Sequence, residues 1–160
     1  MIERNLDRAI KDFIWNVVEI HSQLEEIHKS WAELLGITEP QWLILMAIDE
    51  LDDGGQGVAG IDVANKLRIH PAFVTNQTKS LEKDGFLSRA TRADDARYVL
   101  MSLTTKAQAE IAKLAKRKLA LNSTMFNEFD EKTLADINVA LTTIAKNARL
   151  ASRLLAIDIS

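Results

Sequence analysis

Apolar residues in the first part of the chain fall at Leu6, Ile10, Phe13, Ile14, Val17, Leu24, Ile27, Trp31 and Leu34. This is the i, i+3, i+4, i+7 stripe of an amphipathic helix, not the alternation of a strand. It predicts a helix over about residues 5–34, roughly 45 Å long at ~1.5 Å per residue, with Gly36 as its stop. A second helix is expected from Thr38-Glu39-Pro40-Gln41, where Thr38 and Gln41 have capping-box spacing and proline is tolerated in the first turn. Trp42, Leu45, Met46, Ile48 and Leu51 mark its core side, and Asp52–Gly57 reads as a loop.

Two shorter helices fit between residues 60 and 84. Ile61, Val63, Ala64 and Leu67 give the first its apolar side. Arg68-Ile69-His70 is the turn. The second starts at Pro71, carries Val74, Thr78 and Leu81, and stops at Gly85. Paired short helices on a tight turn make a helix-turn-helix. Phe86–Arg89 and Tyr98–Leu103 then read as strands around the polar loop Thr91–Arg97, and Thr104 caps the next helix. A hairpin directly after a helix-turn-helix is a wing. Beyond Gly85 no glycine or proline interrupts the chain. The periodicity predicts one helix over about 105–126 and another over about 131–155, with Asp130 as N-cap of the last. The fold class expected is all-α with a small β wing.

Composition excludes several classes of protein. The chain has 160 residues, 47% of them hydrophobic, which fits one globular domain or one small module with helical arms. No apolar run approaches the ~20 residues that cross a bilayer, and the opening MIERNLDRAIKDF is too charged for a signal peptide. Cysteine is absent, which removes disulfides, thiolate metal sites and a cysteine nucleophile. Cytoplasmic residence is the expectation.

The middle of the chain carries a more specific signal. VANKLRIHPAFVTNQTKSLEKDGFLSRATRADDARYVLMSLT resembles the DNA-binding core of the MarR family of bacterial transcription regulators. Val63-Ala64 and Leu67 match the first helix of the family's motif, and Val74-Thr75 with Leu81-Glu82-Lys83-x-Gly85 match its recognition helix. Arg89 matches the arginine after the first wing strand. Asp95-x-Arg97 and Leu103-Thr104 match the wing signature and its end, and Gln41-Trp42-x-x-Leu45 the second helix. The resemblance implies a winged helix-turn-helix over 38–104, an N-terminal dimerisation helix over 1–37 and C-terminal dimerisation helices over 105–160. It implies a homodimer on a pseudo-palindromic double-stranded DNA operator, acting as a repressor relieved by a small effector. His70 departs from the Ser, Thr or Asp usual at the start of the recognition helix, which implies a cap that is weak or pH-sensitive.

Charge follows this division. The whole chain has net charge −3. Residues 1–53 hold 4 basic and 12 acidic groups, residues 54–106 hold 8 and 5, and residues 107–160 hold 8 and 6. The positive excess falls on the reading module, where phosphate contact requires it. On the second motif helix Thr75, Asn76 and Lys79 point away from the core side, with Ala72 and Phe73 near the N-terminal end that enters the major groove in such proteins. Asparagine can pair bidentately with adenine, and Ala, Thr or Phe can meet a thymine methyl. Arg97 resembles the wing arginine that enters a narrow, strongly negative minor groove. Asp95 is placed to orient it, and Arg89 and Arg92 are phosphate or structural partners.

The family resemblance also implies an aromatic or carboxylate effector between the arms and the module. Trp15, His21, His28 and Trp31 are candidates by type and place, with Trp42 read as core. No P-loop, GxSxG, HExxH or GxGxxG occurs, so no catalytic residue, cofactor or metal site is expected. His21 and His28 lie seven apart on one helix face, a spacing that packing or an interface accounts for. The competing readings are a ligand-binding or interaction protein of the same fold without DNA binding, and a small helical enzyme.

Overall fold

The structure is a computed structural model that describes residues 2–91 and 99–158. It separates into two compact units, Met1–Lys113 and Leu114–Ser160. In the first unit the order is α1 (Ile2–Leu35), α2 (Glu39–Leu51), β1 (Val58–Ala59), α3 (Gly60–Leu67), α4 (Pro71–Lys83), β2 (Leu87–Thr91), β3 (Val99–Leu103) and α5 (Thr105–Lys113). The second unit holds α6 (Ala115–Phe126) and α7 (Glu131–Asp158).

The core of the first unit lies where α2, α3 and α4 meet the sheet. Ile44, Leu45 and Ile48 of α2 pack with Val63 and Ala64 of α3, Val74 and Leu81 of α4, and Met101 of β3, all 2% exposed or less. These are the helical-period positions of the sequence, so apolar burial is what draws the three helices together. Ile44 joins this core although the apolar stripe of α2 was read without it. Ile61 does not: it is 49% exposed, because α3 starts at Gly60 and turns its first residues outward.

α1 ends with Gly36 N–H donating to Glu33 O and Ile37 N–H to Ala32 O, the paired bonds of a Schellman stop. The start of α2 is held by Gln41, whose Oε1 accepts from Thr38 N–H at 3.0 Å.

The sheet is antiparallel, in the order β1-β3-β2. Arg89 pairs with Met101 and Leu87 with Leu103 across the hairpin. Val58 pairs with Met101 on the other edge of β3. β1 lies just beyond the loop expected over Asp52–Gly57 and was not expected from the sequence. Two residues are too short a run to show alternation, and only the partner strand makes them a strand.

The helix expected over about 105–126 is two helices. The break falls at Leu114, which is 9% exposed with φ −83° and ψ −10°. No glycine or proline stands there, so the sequence carries no mark of it.

In the second unit Asp130 caps α7 as expected, its Oδ1 accepting from Thr133 N–H at 2.7 Å. The Thr133 side chain, and after it this N–H, hold the Asp130 carboxyl below its ordinary range.

Candidate nucleic-acid interface

α4 is built to present one face. Val74, Thr78 and Leu81 are buried, and Thr78 Oγ1, wholly inside, donates to Thr75 O at 3.2 Å. The opposite positions Ala72, Phe73, Thr75, Asn76 and Lys79 are all exposed. The structure thus brings the five expected reading residues onto one outward surface of α4. Phe73, 40% exposed, also lines a small hollow of about 180 Å³ with Leu67, Ile69 and Leu43.

Both ends of α4 are fixed by specific bonds. At the N-terminus His70 is the N-cap, in extended conformation, and its Nδ1 accepts from Ala72 N–H at 3.2 Å. At the C-terminus Gly85 has φ +77°, a conformation that costs glycine least. Gly85 N–H donates to Glu82 O and Phe86 N–H to Leu81 O at 2.8 Å. Thr104 Oγ1 donates to Gly85 O at 2.7 Å and accepts from Ala107 N–H, so one hydroxyl ties the end of α4 to the start of α5. Lys106 Nζ donates to Asp84 O at 2.7 Å and lies 4.5 Å from the centre of the Phe86 ring. Recognition surfaces need such support, because base contacts depend on the helix keeping its position.

Arg89 of β2 turns back against α4 rather than outward. Its guanidinium lies 3.7 Å from the Glu82 carboxylate, and Nε is buried with no hydrogen-bond partner among the described residues. It lines a hollow of about 320 Å³ with Thr75, Thr78, Val74, Val99 and Met101. Arg92, Asp95 and Arg97 lie outside the described residues.

The four effector candidates do not form one group. His28 and Trp31 lie on the last turns of α1, where Trp31 stacks near Trp42 of α2 with ring centres 6.4 Å apart. Burial pushes the His28 imidazole below its ordinary value, against an opposing pull from the Glu39 carboxylate. Trp42 is 3% exposed, as its core reading required, and its Nε1 has no hydrogen-bond partner among the described residues. Trp15 is 70% exposed and stands sixteen residues from Trp31, about 24 Å along the helix. His21 is exposed between them.

The hollow beside Arg89 and the orphaned Trp42 nitrogen were not found by sequence reasoning. A hollow is a property of packing and leaves no residue pattern. For Trp42 the signal existed, since an indole N–H in a core position needs a partner.

A three-helix core with a hairpin against its last helix is a winged helix-turn-helix. Residues 37–99 match the sequence profile of the MarR family. Over those residues the chain is similar to the MarR family. The fold is the winged helix of the MarR-family structures with which it aligns. The transcriptional repressor YetL of Bacillus subtilis (strain 168) is 22% identical over 129 residues, which are 80% of this chain and 76% of that protein. Among solved structures, the MepR–DNA complex of S. aureus aligns with TM-score 0.71 at 18% identity, over 85% of this chain and 96% of that one. CouR from Rhodococcus jostii RHA1 bound to p-coumaroyl-CoA aligns with TM-score 0.72 at 17% identity, over 84% of this chain and 92% of that one. At these identities the structural likeness establishes the winged fold.

Proposed function

We propose that this chain is a sequence-specific transcriptional regulator of the MarR family, a homodimeric repressor whose operator binding is relieved by a small effector. It acts in the cytoplasm as a binding protein rather than an enzyme. The observation that carries this reading is the outward face of α4, where Thr75, Asn76 and Lys79 stand opposite the buried Val74, Thr78 and Leu81. Ala72, Phe73, Thr75 and Asn76 meet base edges, and Lys79 meets phosphate. Arg97 and Asp95 of the wing serve the adjacent minor groove, with Arg92 on the backbone; Arg89, ion-paired to Glu82, holds the wing strand against α4. Residues 1–37 and 105–160 serve as dimerisation helices around the reading module 38–104.

The repressor direction is supported by the function in the name of the relative YetL. An aromatic effector, free acid or thioester, is supported by the ligand of CouR and by the aromatic pair Trp31 and Trp42 beside the half-buried His28. Trp15 and His21, far from that pair, serve an effector only if a second protomer brings them to it.

The test is binding to the duplex upstream of the protein's own gene at two salt concentrations. Tight, salt-dependent binding that outcompetes scrambled duplex is expected. Equal affinity for both duplexes overturns the reading in favour of a ligand-binding protein of the same fold. A panel of phenolic and benzoic acids and their thioesters, titrated into the complex, is expected to yield a displacing compound. A compound that binds both states equally shifts nothing.

A further inference from the structure

The first turn of α4 has a single side chain to satisfy it. Pro71 at the first helical position has no N–H to offer. Phe73 N–H donates to His70 O at 3.0 Å, and Ala72 N–H donates to His70 Nδ1 at 3.2 Å. The first turn holds no acidic residue that could take over. An imidazole accepts at Nδ1 only when its proton sits on Nε2 and the ring is neutral.

We propose that His70 is a positioning residue for DNA reading: its neutral imidazole holds the first turn of α4 in shape, and its protonation loosens the sequence preference of the protein. This rests on the DNA-reading role given above. Protonation turns Nδ1 from acceptor to donor, facing another donor, and puts a cation at the positive end of the helix dipole. The turn that frays carries Ala72 and Phe73 and leads into Thr75, whose hydroxyl is itself bonded to Pro71 O at 3.1 Å. An imidazole changes charge between about pH 5 and 8, where a hydroxyl or amide cap stays fixed.

The charged groups on the neighbouring elements are few. Arg68 precedes His70 on the same turn, in left-handed conformation with φ +59°. Lys66 of α3 is ion-paired to Glu50 of α2. Glu39 at the start of α2 borders the small hollow that Ile69 and Phe73 line. Among the described residues no carboxylate is hydrogen-bonded or ion-paired to His70.

The readout is a ratio of affinities. Added positive charge strengthens attraction to any phosphate backbone and raises operator and scrambled affinity together. The geometry of the helix start affects only base contacts. The operator-to-scrambled ratio is therefore measured from pH 8 to pH 5.5 for the wild type, His70→Asn and His70→Ser, both variants being good caps that do not titrate. The wild-type ratio is expected to fall about fivefold, the scale of one lost cap, and both variants to stay flat within about twofold. His21 and His28 remain in the variants, so an equal fall there overturns the proposal, as does a flat wild type. In the DNA-free protein the Ala72 amide resonance is expected to follow the His70 titration; an amide that ignores it also overturns the proposal. A wild type with no operator preference at any pH defeats the DNA-reading role itself, and the Ala72 amide then decides whether His70 is a protonation-sensitive cap.

Discussion

At the scale of single residues, two substitutions separate positioning from specificity. Asn76 is exposed on α4 and has no hydrogen bond to a described side chain, so it is free to pair with a base. Asn76→Ala is expected to flatten the preference among operator variants and leave nonspecific binding nearly unchanged. Arg97→Ala is expected to weaken operator binding about tenfold, within the 1–3 kcal/mol of a groove contact, and to lower the log–log salt slope by up to about one if the guanidinium also neutralises phosphate. Binding of each variant to a matched set of duplexes at two salt concentrations checks both; wild-type behaviour in both overturns the contacts proposed. His28 gives a pH prediction. Burial lowers its folded value below the ordinary 6.5, so the unfolded chain takes up the proton first as pH falls. Its stabilising effect is complete above about 6.5, declines as pH falls through the interval down to the folded value, and then levels off. Urea unfolding at pH 8 and pH 5.5 should show that loss in the wild type and a smaller one in His28→Gln.

At the scale of elements, the least legible piece is also the most constrained. β1 exists because Gly57 brings the chain against β3. Gly57 has φ +84°, its N–H donates to Asp52 Oδ1 at 2.8 Å, and a Cβ there would stand 3.0 Å from Leu100 Cβ and Ser102 Oγ. A side chain at this place meets both a strained backbone and a neighbouring strand. Gly57→Ala is expected to destabilise the protein by about 1–3 kcal/mol, read as a lower urea midpoint at unchanged slope. A midpoint equal to wild type would show that β1 detaches without cost. The helices were legible because their stripes repeat over several turns and their ends carry caps: Gln41 at the start of α2, Gly85 after α4, Asp130 before α7. The break at Leu114 was not, since apolar period and helix-forming residues run through it unchanged.

At the scale of the whole molecule, the exposed apolar residues are the dominant fact. Leu6, Ile10, Ile14 and Ile20 of α1 are each 50% exposed or more, and Trp15 is 70% exposed. In α7, Ile137, Leu141 and Ile144 line up at helical spacing, Leu150 and Leu154 follow further along, and each is 39% exposed or more. Isolated apolar residues on a surface need no explanation, but long stripes do. Isologous burial of these stripes against a second copy is the expected resolution. Sedimentation at micromolar concentration should give twice the 17.9 kDa of the chain. Ile10→Glu with Ile14→Glu should shift the mass toward the monomer with a loss of helicity. A wild-type monomer with full helicity would overturn the assembly.

The sequence by itself determined the helices apart from the break at Leu114, the order of the wing strands and the outward face of α4, because each follows from a period or a cap read within a few residues. Even the N-cap at His70 was legible, since Pro71 fixes where the helix begins. Tertiary structure alone decided the rest. Arg89 could have faced DNA or the protein, and the packing of β2 against α4 sets it beside Glu82. Val58-Ala59 became a strand only when β3 offered its free edge. Trp31 and His28 parted from Trp15 and His21 only because α2 packs against one end of a helix whose sequence looks alike along its length. Local pattern records how a residue relates to its neighbours in the chain; which partner covers it depends on contacts between segments far apart, and those no short window contains.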